Sequence, residues 1–491
     1  MKILDFFKGY RNIAFRILAC IYSAVLFYLN YIRVFDVNLW GDEAYTAWII
    51  KYPVNQLIDY TAADVHPPLY YIGLKAFCGI LGQRATVFHF FSVLALACML
   101  IFALTVIWKE FGPAASLIVI TFTSISDAAL RFNVEIRMYS WAAVFVFLTY
   151  YFTYCLIKRP AIKYYVGFSI ASLAAAYTHY YALVAVAFFY AYLLIRAIVY
   201  KRTELIKTLI VSGIAIAVYL PWLTKLISCF TARIDNYWIA EYSSFSECFS
   251  YLFSDHFTFG MWFVIILMLV LTVLYETGFA TVEKSEVREY KVKYGNKIHY
   301  SETVEVIIAG LLSIAGTMAT GIWVSALVSP FFVTRYIYVV APVAWLILGI
   351  LFSKMKMRIL WTPVFLAFTL SMLIPSYKEI YYGDVDIMNR TQFVLDVLAY
   401  VDGDDMIITN FGGDELPMYY FDGKQYVNDA DINNMELVDK EGVTNWIIVG
   451  DNWTNEEIVN KVSEQGFGCD LILSEGMIGT ARVCIYRCYK L

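Results

Sequence analysis

A helical membrane body of about eleven spans, followed by a small soluble α/β domain, is the architecture this sequence predicts. Three observations predict it. The composition is too apolar for a soluble globule: of 491 residues 60% are hydrophobic, 18% aromatic and 16% charged, with a mean hydropathy of +0.62. Apolar runs of about 20 residues, the length a helix needs to cross a hydrocarbon core of about 30 Å, recur along the first 375 residues. Charge then divides the chain. Residues 376–491 hold 21 Asp and Glu against 8 Lys and Arg, net −13, whereas residues 1–375 hold 20 against 29, net +9. The formal charge of −4 thus hides a basic membrane body, 1–375, and an acidic tail, 376–491.

Taken in order, spans are expected at 14–34, 85–108, 113–131, 138–157, 162–178, 180–199, 205–226, 257–275, 304–328, 336–352 and 358–375. The first run, Ala14 to Val34, is too long for a secretory signal core and no small-residue cleavage site follows it, so it is read as a retained span. Leu69–Leu81 is apolar but short and is read as a re-entrant or interfacial helix. Lys/Arg clusters mark cytoplasmic loops: Lys2, Lys8, Arg11 and Arg16; Lys158, Arg159 and Lys163; Lys201, Arg202 and Lys207; the polar loop Glu276–Glu302; Lys354, Lys356 and Arg358. The N-terminus then lies in the cytoplasm, and the intervening loops and the tail lie outside the cell membrane.

In the tail, Met406–Thr409 and Trp446–Val449 read as short buried strands and Ala481–Tyr489 as a closing strand. Thr391–Val401 and Thr454–Gln465 carry helical periodicity, and no glycine pattern for cradling phosphate appears. No nucleic-acid partner is expected. Cys484 and Cys488 would stand about 13 Å apart on one strand and cannot pair with each other, whereas Cys469 can pair with either.

Chemistry-bearing residues gather where spans meet water on the outer side. Trp40–Tyr45 reads WGDEAY and Asp64–Tyr71 reads DVHPPLYY. Asp42 and Glu43 are adjacent, so at a helix start their side chains diverge by about 100° and one alone can address a given pocket. Asp42 has two readings: a general base, or the N-cap of a helix over Glu43–Ile50. Asp64 and His66 precede two prolines, whose fixed φ angles either stiffen a site loop or merely start the next helix. Other outer loops carry Arg137 with Tyr139, His179 with Tyr180, and Arg335 with Tyr336. An interfacial Arg often only anchors a helix. Two of them with a histidine, each beside a tyrosine, suggest a phosphate pocket, because the planar guanidinium can grip two phosphate oxygens.

Together, WGDEAY after the first span, D-x-H-P-P-L-Y-Y, EIRMYSW, THYY and a late Arg-Tyr resemble glycosyltransferase family 39 over residues 1–375. These GT-C membrane enzymes include protein O-mannosyltransferases and lipid A aminoarabinose transferases. The resemblance implies a GT-C type fold and an inverting glycosyltransferase that moves a sugar from a polyprenyl-phosphate carrier to an extracytoplasmic acceptor: cell-envelope glycan, lipid or protein. It implies a catalytic base at Asp42 and a lipid-phosphate arginine at Arg335. Glu43 joins Asp42 as a catalytic candidate; Asp64, His66, Arg137, Tyr139, His179, Tyr180, Arg335 and Tyr336 are the substrate-binding candidates. The β-trefoil insertion of the eukaryotic protein mannosyltransferases is missing, which disfavours protein as acceptor.

The chemistry agrees with the residues taken alone. A lipid-linked sugar leaves well if the phosphate charge is stabilised, for which Arg335 with Arg137 or His179 would serve. The competing expectation is a transporter or lipid flippase with an outward cationic pocket, which predicts ionisable residues along a path through mid-span. Expected partners are the polyprenyl-phosphate sugar, an extracytoplasmic acceptor and the bilayer. No organic cofactor is called for; Asp42, Asp64 and His66 are residue types that hold divalent ions, at a spacing that matches no recognised metal motif.

Overall fold

The computed structural model describes residues 2–491 apart from 65, 200, 234–238, 254–265, 268–269, 271–300, 356–357 and 451. The expected span at 257–275 therefore lies outside the described residues but for three positions. The other ten expected spans fall on helices: α1 Lys2–Tyr31, α5 Ala85–Phe111, α6 Pro113–Ile125, α8 Tyr139–Lys158, α9 Ile162–Ala176, α10 Tyr180–Val199, α11 Arg202–Arg233, α13 Glu302–Leu327, α14 Ala341–Lys354 with its leading 3-10 turn Thr334–Val340, and α15 Arg358–Leu398. Eight are long and apolar enough to cross a membrane, while α6, α9 and α4 (Leu69–Leu81) are shorter. The protein is a multi-pass helical membrane protein with a small C-terminal α/β domain.

Burial orders the bundle as composition dictates. The Thr334–Lys354 segment, apolar on every side, is 94% buried over its most apolar stretch; the corresponding stretch of α11 is 17% buried and faces outward. Close approach replaces the hydrophobic effect where lipid is as apolar as protein. Gly349 of α14 touches α6 so tightly that a Cβ there would stand 2.7 Å from the Ala115 Cα. Several polar groups inside the body are paired across helices: Trp345 Nε1–H donates to the Leu252 carbonyl at 2.7 Å, Tyr150 OH to the Val306 carbonyl at 3.0 Å, and Arg196 lies between Glu305 (2.5 Å) and Glu204 (2.7 Å).

Outside the bundle, α2 (Gly41–Ile49) and α3 (Val54–Ala63) lead into α4, while α7 (Asp127–Phe132) and the hairpin 133–138 lead into α8. A short helix α12, Phe245–Tyr251, precedes α13. The tail holds β1 Met406–Thr409, α16 Glu415–Tyr420, β2 Gln425–Asn428, β3 Asn445–Gly450, α17 Asn455–Glu464, β4 Phe467–Ile478 and β5 Ala481–Lys490. Its sheet order is β2-β1-β3-β5-β4, with β1 parallel to both neighbours and β5 antiparallel to both of its own. Cys469 and Cys488 face each other across β4 and β5, and both are free thiols.

The expected tail helix over Thr391–Val401 is not a separate element. It is the end of α15, 41 residues and about 60 Å long, too long to end within a hydrocarbon core. Residues 375 and 376, where the charge changes sign, lie inside this helix. It carries the tail out of the bundle, and Val394 and Leu398 on it seat the sheet through Ile407, Ile448 and Ile485. α16 then packs against α2 through Leu416 and Tyr419. The tail therefore covers the segment that bears Asp42 and Glu43.

Candidate active site

α2 starts two residues before the sequence suggests, at Gly41, with Trp40 at the N-cap position. Asp42 is thus not the cap; it stands in the first helical turn, where the dipole favours an anion. The divergence between adjacent side chains divides the acidic pair. Glu43 turns inward, 4% exposed, and accepts N–H bonds from Ile136 at 2.8 Å and Trp40 at 3.3 Å. Burial, with the Glu135 charge adding, pushes its carboxyl well above the usual carboxylate range. Glu43 ties α2 to the 133–138 hairpin. Asp42 turns outward, its side chain 36% exposed, 3.7 Å from Arg137 and 3.9 Å from Arg335.

The guanidinium of Arg137 is 3% exposed and spans several segments. It donates to the Asp42 carbonyl at 3.3 Å, to Thr46 Oγ1 at 3.4 Å and to His66 Nε2 at 3.3 Å. Because a guanidinium only donates, His66 must accept on Nε2 and donate from Nδ1 to Asp64, 2.9 Å away. The His-Pro-Pro turn delivers this Asp64–His66 pair beneath Arg137, and a backbone bond from Leu69 N–H to the Tyr177 carbonyl, 3.0 Å, docks α4 to the α9–α10 hairpin. Both imidazole nitrogens of His66 are committed, so Asp42, Asp64 and His66 do not fit a metal site. Among the described residues no three His, Cys, Asp or Glu side chains converge as metal ligands.

Arg335 sits on the 3-10 turn before α14, over the ring of Tyr336 at 5.4 Å. Tyr336 stacks on Tyr181, centroids 5.1 Å apart, and His179 lies 5.6 Å from Tyr336 and 5.4 Å from Tyr139. His179 is 3% exposed; burial first, then the nearby His66, Arg137 and Arg335, press its pKa well below the ordinary imidazole value. It is a neutral ring behind the arginines, not the third cation that the sequence suggests. Tyr180 leaves the constellation altogether, since the next residue of a helix start points elsewhere: it packs with Ala62, Tyr177, Tyr219 and Trp222.

Two residues not singled out from sequence belong to the group. Tyr71 is fully buried with Arg137, Asp64 and Asp42 as its electrostatic neighbours, and its hydroxyl has no hydrogen-bond partner among the described residues. Glu135, 6% exposed, lies among Arg137, Arg131, Asp42 and Arg335; burial raises its carboxyl from 4.5 to about 7 against the pull of the arginines. The signals were the second Tyr of LYY and the acid two residues before Arg137. Neither carried weight without knowing which way the hairpin folds.

Glu135 makes a pH prediction. Between 4.5 and about 7 the folded protein keeps a proton that the unfolded chain has lost, so stability falls as pH rises through that window and the contribution is gone above it. Asp36, raised from 3.8 to about 7 by burial, acts with the same sign. Glu135→Gln, uncharged throughout, is expected to flatten but not abolish the decline of Tm between about pH 5 and about pH 8. Parallel Tm–pH slopes for the two proteins would show that Glu135 does not titrate there.

The arrangement sets a solvent-accessible carboxylate beside two guanidiniums, one locked and one a quarter exposed. It can take a proton from a hydroxyl and hold an anion side by side. No protein-family model matches the chain, and no curated protein matches it in sequence. Solved structures do match: ArnT from Cupriavidus metallidurans in the apo state, with TM-score 0.55 and 10% identity, covers 97% of this chain and 98% of its own. The same protein bound to undecaprenyl phosphate gives TM-score 0.51 and 10% identity, over 96% of this chain and 98% of its own. At that identity the likeness is one of fold, a GT-C-type membrane body with its C-terminal domain.

Proposed function

We propose that this protein is an integral-membrane inverting glycosyltransferase, moving a sugar from a polyprenyl-phosphate carrier to a hydroxyl on an extracytoplasmic acceptor. One observation carries the reading: the Asp42 carboxylate, open to solvent, stands within 4 Å of both Arg137 and Arg335 at the mouth of the bundle. The fold shared with ArnT, solved once with undecaprenyl phosphate, supports a lipid-phosphate donor.

Asp42 takes the acceptor's hydroxyl proton, and the freed oxygen forms a bond to the anomeric carbon from the face opposite the phosphate. The carbon–oxygen bond to the phosphate breaks, its electron pair going to the polyprenyl phosphate, which gains one negative charge. Arg335, with Arg137 behind it, stabilises that charge where it develops. His66 and Asp64 orient Arg137 rather than touch the sugar. A lipid chain between helices needs no nucleotide site. The transporter reading is less favoured: among the described residues, the buried Arg196 and Arg33 are each paired with carboxylates.

The direct test is the full-length protein in nanodiscs with polyprenyl-phosphate hexoses and pentoses. Release of free polyprenyl phosphate above the protein-free rate, with water as a slow acceptor, is expected for at least one donor. No release from any of them, with or without candidate acceptors, overturns the reading. The same reading places the tail and the Asp42 loop outside the cytoplasm, since basic loops face inward. A cysteine introduced at Asn434 is expected to react with an impermeant thiol reagent in intact cells; reaction only after permeabilisation reverses the orientation.

A further inference from the structure

The chain just before Asp42 is held from the tail. Asn38 Oδ1 accepts from the Gly479 N–H at 2.9 Å and from Thr391 Oγ1 at 3.0 Å, while its Nδ2 donates to the Gly479 carbonyl at 3.1 Å. The Tyr420 hydroxyl accepts from Leu39 N–H at 2.7 Å and lies 3.2 Å from the Leu39 carbonyl. Gly479 has φ +60, and a Cβ there would stand 2.9 Å from Leu416 and 3.2 Å from the Trp40 Cα, so only glycine lets the β4–β5 turn close on Trp40. Leu39, Asn38 and Trp40 are thus gripped by residues 391 to 479, and the next residues are Gly41 and Asp42. On its other side Asp42 is bounded by Glu43, which the body holds through the Ile136 N–H.

We propose that the tail domain is a working part of the active centre: Asn38 and Tyr420 are positioning residues that hold Asp42 over the two guanidiniums. This rests on the reading of Asp42 as the base. The Asp42 carboxylate meets Arg137 and Arg335 at 3.7 and 3.9 Å, too long to fix it, although Arg137 also donates to the Asp42 backbone carbonyl at 3.3 Å. What fixes it is the backbone on either side, one flank belonging to the body and the other to the tail. A carboxylate displaced by about 1 Å from the attack line loses rate on the order of 10²-fold, while the donor's phosphate still finds Arg335. The tail grip therefore bears on the chemical step more than on donor binding. Lys51 and Asp422 join the same two bodies at 2.8 Å, but at an exposed rim and away from the 38–40 segment.

The test uses the full-length protein in nanodiscs and a polyprenyl-phosphate sugar it turns over. Tyr420→Phe removes one hydroxyl and keeps the buried ring; Asn38→Ala removes the Gly479 pairing. Each is expected to lower kcat by about 10- to 100-fold with donor KM within about threefold of wild type, whereas Lys51→Met keeps its kcat. Wild-type kcat in Tyr420→Phe overturns the proposal, and so does a loss that appears equally in donor KM and in Tm, the signature of a merely structural contact. If Asn38→Ala does not fold, Tyr420→Phe decides alone. A dead Asp42→Asn beside a normal Tyr420→Phe removes the positioning role and leaves the base; a native-rate Asp42→Asn removes both.

Discussion

Asp42→Asn is expected to abolish sugar transfer, by on the order of 10²-fold or more, in a protein that folds normally and still binds the lipid donor. Asn keeps the size and the helix-start preference of Asp but cannot accept the hydroxyl proton. Little stability is at stake, because the carboxylate caps no helix end, is 36% exposed and lies beyond hydrogen-bond length from both arginines; such pairs contribute at most about 1 kcal/mol. Glu43→Gln gives the reverse signature. Both Glu43 oxygens accept backbone N–H bonds in a buried site, and an amide turns one acceptor into a donor facing an N–H. Its Tm should fall more than its kcat. The assay is transfer from a defined polyprenyl-phosphate sugar with thermal unfolding in parallel, and an Asp42→Asn protein of native stability and near-native rate ends the proposed mechanism.

Arg335→Lys is the second large effect. The substitution retains one positive charge but loses the planar pair of donors and the contact over Tyr336. If Arg335 takes the lipid phosphate, kcat/KM for the donor should fall by on the order of 10- to 100-fold. Arg335 is the more exposed of the two arginines, 26% against 3%, so it is the more accessible of the two to a phosphate. Arg137, with His66, Thr46 and the Asp42 carbonyl on its fork, is built into the wall. Unchanged kcat and unchanged KM in Arg335→Lys would remove it from the phosphate site.

Much of the architecture was legible in the sequence because membrane spans obey local rules. Each span satisfies its own backbone and announces itself by composition, so ten expected spans fall on helices and Leu69–Leu81 matches its helix at both ends. The strand Met406–Thr409 matches too, an apolar run bounded by turn residues. β2 and β4 were not foreseen. β2 alternates half-exposed with exposed residues at a sheet edge, and β4 carries exposed Leu471 and Ile472 and register shifts before Gly476, so neither has a clean period of two.

At the candidate site, the sequence by itself determined the inventory: an acidic pair, an Asp-x-His-Pro-Pro turn and two arginines beside tyrosines, all at helix ends on one side. It even required the two acids to diverge, since adjacent residues of a helix cannot share a direction. Which acid faces the arginines was decided only by tertiary structure, when the 133–138 hairpin presented the Ile136 N–H to Glu43 and left Asp42 outward. The same packing turned Tyr180 away, buried His179 in its neutral form, drew in Tyr71 and Glu135, and closed the Gly479 turn of the tail on Trp40. The physical reason is range. Periodicity and composition report what a residue does within its own few turns, whereas Asn38 meets Gly479 across 441 residues and Glu43 meets Ile136 across 93, contacts that no local pattern encodes.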